Sequence, residues 1–446
     1  MRFRSILGIT AGAIIALAVW PAIITHRAPA ATFTPAPVMR DYLQRDALIA
    51  FEEKIVRRHP TDQITSRMLA GNYMNRFREQ GDIGDVARSQ AMAERSIELQ
   101  PRGNTPAQMA LASAYLTYHN FRAALLHERE AIAGEPSNAG AWAQAASLEM
   151  ELGEYPQAYA ILKKRPPGPE NPTWDSILAR YDELTGHIGQ ARALIERSSR
   201  IVDADQYTPA IARSWYHMRA AQLAWEDGDN ATADAQFKKM LFLYPDNYMG
   251  LMYQARFYRS LKEWHRTMTA AKAAIELYPL PQVLGYQADA QRALGDNAGA
   301  ERTDALIRAE QRLFNVQGIN DRLIANYYAQ RGVHLQDALA YAKLDHEQRG
   351  NEIYADDTMG WVLGAMGRWN QARPYAEQSV RYDTQDPVLE YHAAIVALHT
   401  GHRNEALRRL KMALALNPHF HPVYADDARR EVAALTRGGH DDGAVR

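Results

Sequence analysis

The chain has 446 residues, 51 of them basic and 52 acidic, a formal net charge of −1 and no cysteine. Balanced charge without a block of one sign excludes the basic stripe of a nucleic-acid binder. The missing cysteine excludes disulfides, thiolate zinc sites, cysteine nucleophiles and c-type haem attachment within this chain.

At the start, Arg2 and Arg4 precede Ser5–Thr25, a run of 21 residues without a charge. That is enough for about one bilayer crossing as a helix. Positive charge ahead of it predicts a cytoplasmic N-terminus and an exported body. Two outcomes stay open: an uncleaved anchor, interrupted by Pro21, or a signal peptide with a small-residue site at Ala28-Pro29-Ala30. Residues 1–30 are therefore expected to be a signal peptide or membrane anchor, and 31–39, with Pro35 and Pro37, a stiff linker. The expected location is the periplasm or the extracytoplasmic face of the inner membrane, where a cysteine-free chain is comfortable.

From residue 40 the sequence is rich in Ala, Leu, Gln, Glu and Arg, and all of them favour helix. No alternating Val/Ile/Thr run argues for a strand. A Gly followed five residues later by Ala recurs: Gly153/Ala158, Gly186/Ala191, Gly228/Ala233, Gly295/Ala300, Gly367/Ala372 and Gly401/Ala406. The Gly lets the chain turn between antiparallel helices, and the Ala lets the second helix pack closely. His119 stands where one Gly is expected, Gly332 with Ala338 is one residue longer, and a degenerate unit keeps Trp264, Ala274 and Pro279. Pro101, Pro136, Pro245, Pro279 and Pro418 stop second helices.

With Trp142, Ala146, Gly153, Tyr155 and Ala158 in one unit, and Ala394, Gly401, Ala406, Ala413 and Pro418 in another, the sequence resembles the tetratricopeptide repeat (TPR) superfamily. The resemblance runs over roughly residues 61–420. It implies an all-α, right-handed α-solenoid of nine to ten TPR helix pairs inside residues 40–438. The expected hairpins are roughly 61–101, 104–136, 139–170, 172–205, 210–245, 248–279, 281–314, 318–352, 354–386 and 387–420. A leading helix over 40–58, a capping helix over 422–436 and a disordered tail over 439–446 complete the expectation. The stretches Asp357-Thr358-Met359-Gly360-Trp361, Tyr391-His392-Ala393 and Ala415-Leu416-Asn417-Pro418-His419-Phe420 also resemble a family of exported bacterial TPR proteins.

In such a superhelix the first helix of each pair lines the concave side. Carried onto this chain, the resemblance puts Trp215, Met218 and Trp225 there from one unit and Met252, Arg256 and Arg259 from the next. Arg292, then Arg322 and Asn326, then Trp361 and Tyr391 follow from later units. Aromatic anchors, methionines and arginines are residues of binding surfaces. Arg322 with Asn326 also resembles a fragment of the carboxylate clamp of chaperone-binding TPR domains, with Thr358 where the clamp has an amide or a base.

Histidines cluster only at His419-Phe420-His421, with His392, His399 and His402 one unit earlier. The expected role for His419 and His421 is to cap a helix end. Asp356-Asp357 and Asp426-Asp427 are adjacent on helices and so point apart, and Asp356 is expected to be an N-cap. No phosphate loop, G-x-S-x-G elbow or H-E-x-x-H helix is present. The expected function is a non-catalytic protein–protein scaffold of the bacterial cell envelope, with no cofactor and no metal. Its expected partners are other envelope proteins or peptides, the membrane through an uncleaved N-terminal segment, and no nucleic acid. The alternative is a chaperone or receptor for extended polypeptides or polysaccharide in envelope biogenesis, secretion or cytochrome maturation.

Overall fold

A computed structural model describes residues 42–164, 170–316 and 322–441. The expected signal or anchor, the linker and residues 442–446 of the tail lie outside the described residues. Among the described residues no helix is long and apolar enough to cross a membrane.

The described residues form 22 helices and no strand. A leading helix α1 (Tyr42–Arg58) is followed by pairs α2 (Gln63–Gln80) with α3 (Ile83–Leu99), α4 (Thr105–Thr117) with α5 (Phe121–Gly134), and α6 (Ala139–Glu151) with α7 (Tyr155–Leu162). Next come α8 (Pro172–Leu184) with α9 (Ile188–Ala204), α10 (Ala210–Glu226) with α11 (Asn230–Leu243), and α12 (Tyr248–Ser260) with α13 (Trp264–Leu277). Then follow α14 (Pro281–Ala293) with α15 (Asn297–Val316), α16 (Arg322–Arg331) with α17 (Leu335–Arg349), and α18 (Ile353–Ala365) with α19 (Trp369–Ser379). The last pair is α20 (Pro387–His399) with α21 (Arg403–Leu416), closed by α22 (Tyr424–Asp441). Helices pack in consecutive pairs and against their counterparts in the next pair. Among the described residues this is an α-solenoid of ten helix pairs with a helix at each end. Helix α22 runs five residues past the expected end of the cap at 436, into the segment expected to be disordered.

One turn geometry repeats between the two helices of a unit. The main-chain N–H of the residue after the turn donates five residues back: Glu154 to Glu149, Asp229 to Ala224, Glu263 to Tyr258, Arg368 to Leu363 and His402 to Ala397, all at 2.8–3.0 Å. This ending needs one left-handed residue. Gly153, Gly228, Gly367 and Gly401 supply it, with φ between 73° and 84°. His119 and Lys262 take the same conformation at φ 58° and 60°, which explains how units lacking the Gly keep the turn, and Gly332 supplies it at φ 65° in the unit that is one residue longer. At the other end of the units, Gln100, Glu135, Tyr244, Tyr278 and Asn417 are extended, with φ from −136° to −157°. A following proline disfavours the helical region for each of them. The second-helix alanines Ala158, Ala191, Ala233, Ala372 and Ala406 are completely buried. A larger side chain there would force the paired helices apart.

The solenoid also closes on itself. The turn of one unit meets the loop that follows a unit about 200 residues later. Tyr155 Oη accepts from the Ile353 N–H at 3.2 Å, and Thr384 Oγ1 donates to the Leu184 carbonyl at 2.6 Å. Arg349, buried between Asp345 and Glu151, pairs with Glu151 across 198 residues. Lys262 pairs with Asp426 further along the same seam. About six units therefore complete one superhelical turn, and the first helices surround a channel.

Candidate binding channel

The channel is a cavity of about 280 Å³ lined by side chains of α6, α8, α10, α12, α14, α16, α18, α20 and α22 and by the loop residue His421. Its lining is set by the turns. The sixth residue before the left-handed residues Gly186, Gly228, Lys262, Gly295, Gly332 and Gly367 is, in order, Arg180, Gln222, Arg256, Asp289, Asn326 and Trp361. All six face the cavity.

Of the expected groove residues, Trp215, Met252, Arg256, Arg259, Arg322, Asn326 and Trp361 line this cavity. Four others sit elsewhere. Met218 is buried between helices in the core formed by α10–α13. Trp225 lies in the same core, and its indole N–H donates to Ser260 Oγ at 3.0 Å. Tyr391 packs against Phe420 and Tyr424, and its hydroxyl donates to Asp427 at 2.7 Å. Arg292 is half exposed and pairs with Asp304 outside the cavity. The physical reason is local packing, not register alone. Met218 and Tyr391 fall ten residues before their turn, as Met252 and Arg322 do, and Trp225 and Arg292 three before it, as Arg259 does. At those spacings the side chain lies at the edge of the inward face, and the adjoining helix decides whether it is covered. Resemblance alone missed Arg180, Glu183, Arg219, Glu226, Asp289, Arg331, His421 and Tyr424, all of which line the cavity. The six-before-the-turn spacing would have found Arg180 and Asp289. His421 and Tyr424 lie outside the repeat and carry no such signal.

Most lining charges are satisfied by the protein. Arg180 and Arg219 both pair with Glu183, the latter at 2.5 Å. Arg322 pairs with Glu352 at 2.7 Å; burial works against its charge, but Glu352 and Asp345 hold it firmly protonated. The clamp-like fragment is thus already occupied. Arg322 holds Glu352, and the Asn326 amide donates to Thr358 Oγ1 at 3.1 Å. Glu352, not Asp356, is the N-cap of α18, accepting from the Ala355 N–H. Asp356 instead pairs with Arg381 and His346.

Some groups are left over. Arg256 makes no ion pair or hydrogen bond with a described residue; its guanidinium rests 4.7 Å from the ring centroid of Trp225. Glu226 also has no hydrogen-bonded partner among the described residues. Burial, then the nearby Glu183 and Asp386 carboxylates, push its pKa to about 8. Buried Asn326 Oδ1 and His392 Nε2 have no hydrogen-bond partner. His392 is fixed from two sides: its Nδ1 is 3.0 Å from Asp357, and its ring stacks on Trp361 at 3.9 Å. Burial raises the Asp357 pKa, against the pull of His392. His421 Nδ1 accepts from the main-chain N–H groups of Val423 and Tyr424, both at 3.2 Å, at the start of α22. Burial, then Arg259, His392, Arg256 and Arg331, depress the His421 pKa well below the usual imidazole value. The ring is therefore neutral, with its hydrogen on Nε2. The other histidines do not converge: His399 stacks on Trp369 at 3.9 Å, and His402 meets Thr400. Among the described residues, no group of three His, Cys, Asp or Glu side chains is placed to hold a metal.

No protein-family model and no curated protein matches the chain. Among solved structures it is similar to the APC/C hetero-tetramer Cut9–Hcn1, at 13% identity over 88% of this chain and 94% of that one, with a TM-score of 0.33. It is also similar to yeast Tom70, at 11% identity over 90% of this chain and 97% of that one, with a TM-score of 0.35. The architecture rests on the helix packing itself.

Proposed function

We propose that this chain is a non-catalytic binding scaffold that takes an extended segment of a partner protein into its channel, and that it does so in the bacterial cell envelope. The observation that carries the binding reading is the set of polar groups that the fold leaves unsatisfied in one cavity: Arg256, Glu226, Asn326 Oδ1 and His392 Nε2. Asn326 Oδ1 and His392 Nε2 are buried, and buried polar atoms without partners are costly, while Arg256 and Glu226 are partly exposed to the cavity. A ligand offering charges and main-chain amides relieves that cost. Trp215 and Met252 add apolar contact beside them. What supports the envelope is the sequence: a basic start, the uncharged run Ser5–Thr25 and the absence of cysteine.

The test is calorimetry of the full chain against a pool of extended peptides, with Trp215→Ala measured alongside. Saturable binding that weakens in the variant supports the channel. Peptides that bind the wild type and the variant equally place the site elsewhere, and no binding by any peptide ends the reading.

A further inference from the structure

We propose that the outward face of α1 is a membrane-contacting surface, on which Leu48, Phe51 and Ile55 enter the headgroup region of a bilayer and Lys54 and Arg58 meet anionic lipid headgroups. This rests on the envelope location proposed above and is independent of what occupies the channel.

Helix α1 is apolar on two faces, and the fold covers one of them. Ile49 and Val56 are buried against Leu69 and Tyr73 of α2. On the same side the Asn72 amide donates to Glu52 at 2.9 Å, and Arg45 donates to Glu79 at 2.8 Å. On the other side Ala47, Leu48, Phe51, Lys54, Ile55 and Arg58 recur at three- and four-residue spacing and form one stripe. Leu48 is 42% and Phe51 61% exposed. In a stacked array the inner units are covered by their neighbours, and an end helix needs a wet outer face. The far end obeys this, since α22 exposes Arg429, Arg430, Thr436 and Arg437. The α1 end does not, and among the described residues no helix precedes it.

Charge and chain position select a bilayer as the occupant. The stripe carries two exposed cations, Lys54 and Arg58, and no carboxylate. The acidic residues beside it are engaged: Asp46 pairs with Arg76, and Glu53 pairs with Arg57 and accepts from the Tyr73 hydroxyl at 2.6 Å. Lys and Arg lay their stems along apolar surface and keep their heads in water, which suits a helix lying in a membrane interface. Each cation held near an anionic leaflet adds attraction. Between the uncharged run Ser5–Thr25 and Tyr42 stand only residues 26–41, sixteen residues. Even fully extended, such a stretch spans at most roughly 60 Å. A chain anchored by that run therefore keeps α1 close to the bilayer.

The experiment uses the full chain, which has no cysteine of its own. Ala47→Cys on the stripe and Thr436→Cys on α22 each carry one environment-sensitive fluorophore. The labelled proteins are reconstituted with phosphatidylcholine vesicles, and with vesicles that also contain phosphatidylglycerol, each doped with a lipid-borne quencher. The label at position 47 is expected to shift to the blue and be quenched by lipid, and the label at position 436 to do neither. Phe51→Glu is expected to lower quenching at position 47 to the level at position 436. Lys54→Gln with Arg58→Gln is expected to remove the excess quenching on anionic vesicles. All three side chains are exposed, so these variants should unfold like the wild type. A chain that floats with the vesicles while position 47 escapes quenching overturns the surface and leaves the envelope location intact. A chain that does not float overturns the surface together with the anchored form. A blue shift without vesicles overturns the membrane assignment, in favour of a second copy if it grows with protein concentration and of a segment of the same chain if it does not. Equal quenching on both kinds of vesicle overturns the role of Lys54 and Arg58.

Discussion

Asn417, in the loop after α21, donates its side-chain amide to the main-chain oxygen of Trp225 at 2.6 Å, joining units 192 residues apart. Its own carbonyl oxygen accepts from the His419 N–H at 2.8 Å, so the side chain is held from both ends. The Trp225 carbonyl, at the end of α10, already accepts from the Gly228 N–H at 3.0 Å, and Asn417 adds a second bond to it from across the seam. The Leu184 carbonyl at the end of α8 likewise accepts from Thr384 across the seam. The seam is thus built from helix ends, and it joins units about 200 residues apart around the cavity.

Close approach at the seam makes one glycine unlike another. A Cβ on Gly153 would lie 2.4 Å from the Asn351 carbonyl carbon, whereas a Cβ on Gly367 meets nothing within 4 Å. Both glycines have similar positive φ, 76° and 73°. Gly367→Ala is expected to cost ~1–2 kcal/mol, the left-handed penalty alone. Gly153→Ala is expected to cost a further ~1–3 kcal/mol, because backbone must move. Urea unfolding of the two variants measures the difference, and equal losses would show that the seam does not hold in solution.

Charge pairs along the seam should differ as sharply. Arg349 is only 1% exposed and faces Asp345 and Glu151, with the Phe121 ring 4.3 Å from its guanidinium carbon. Arg349→Met leaves buried Glu151 unpaired and Asp345 with only the more distant Arg322, 3.9 Å away, and should cost ~3–5 kcal/mol. Lys262 and Asp426 are both more than 40% exposed. Lys262→Met should cost no more than ~1 kcal/mol. Denaturation of both variants at low and high salt checks this, with salt sensitivity expected only for the Lys262 pair.

The two tryptophans of α10 give a third contrast. Trp225 is buried in the α10–α13 core, so Trp225→Ala is expected to lose ~3–5 kcal/mol of stability with or without a ligand. Trp215 is half-buried at the cavity, edge-on to Tyr216 at 4.9 Å. Trp215→Ala should leave the unfolding midpoint much closer to the wild type and act on peptide affinity. Parallel thermal unfolding and calorimetry separate the two. A large stability loss for both would mean that Trp215 is a packing residue.

These cases show what was legible in the sequence. The helix pairs were, because a turn residue and a small residue five later recur and both have local causes. The inward face was only partly so. Resemblance placed Arg256 and Asn326 on the cavity, yet put Met218 and Tyr391 there too, although they pack between helices. Counting six back from the left-handed residue finds Arg256 and Asn326, but at ten back it does not separate Met218 and Tyr391 from Met252 and Arg322, which line the cavity. The seam was not legible at all. Gly153 and Gly367 look alike in sequence, and their difference comes from backbone about 200 residues away.

Glu226 supplies a prediction about pH. Its pKa is about 8 in the folded chain, against an ordinary 4.5, through burial and then the charges of Glu183 and Asp386. A raised carboxyl pKa means that folding favours the protonated form. The associated stability is therefore fully present below pH 4.5 and is lost as the pH rises through about 8. Glu226→Gln removes that dependence while keeping the shape and an acid-like donor. The wild type should lose stability relative to Glu226→Gln steadily from about pH 5 to pH 8, and the two curves should run parallel above that. Asp182, raised to about 6 by burial, contributes the same sign to both proteins and cancels in the comparison. Melting temperatures across this range measure the effect. Parallel curves throughout would mean that Glu226 is solvated in the free protein.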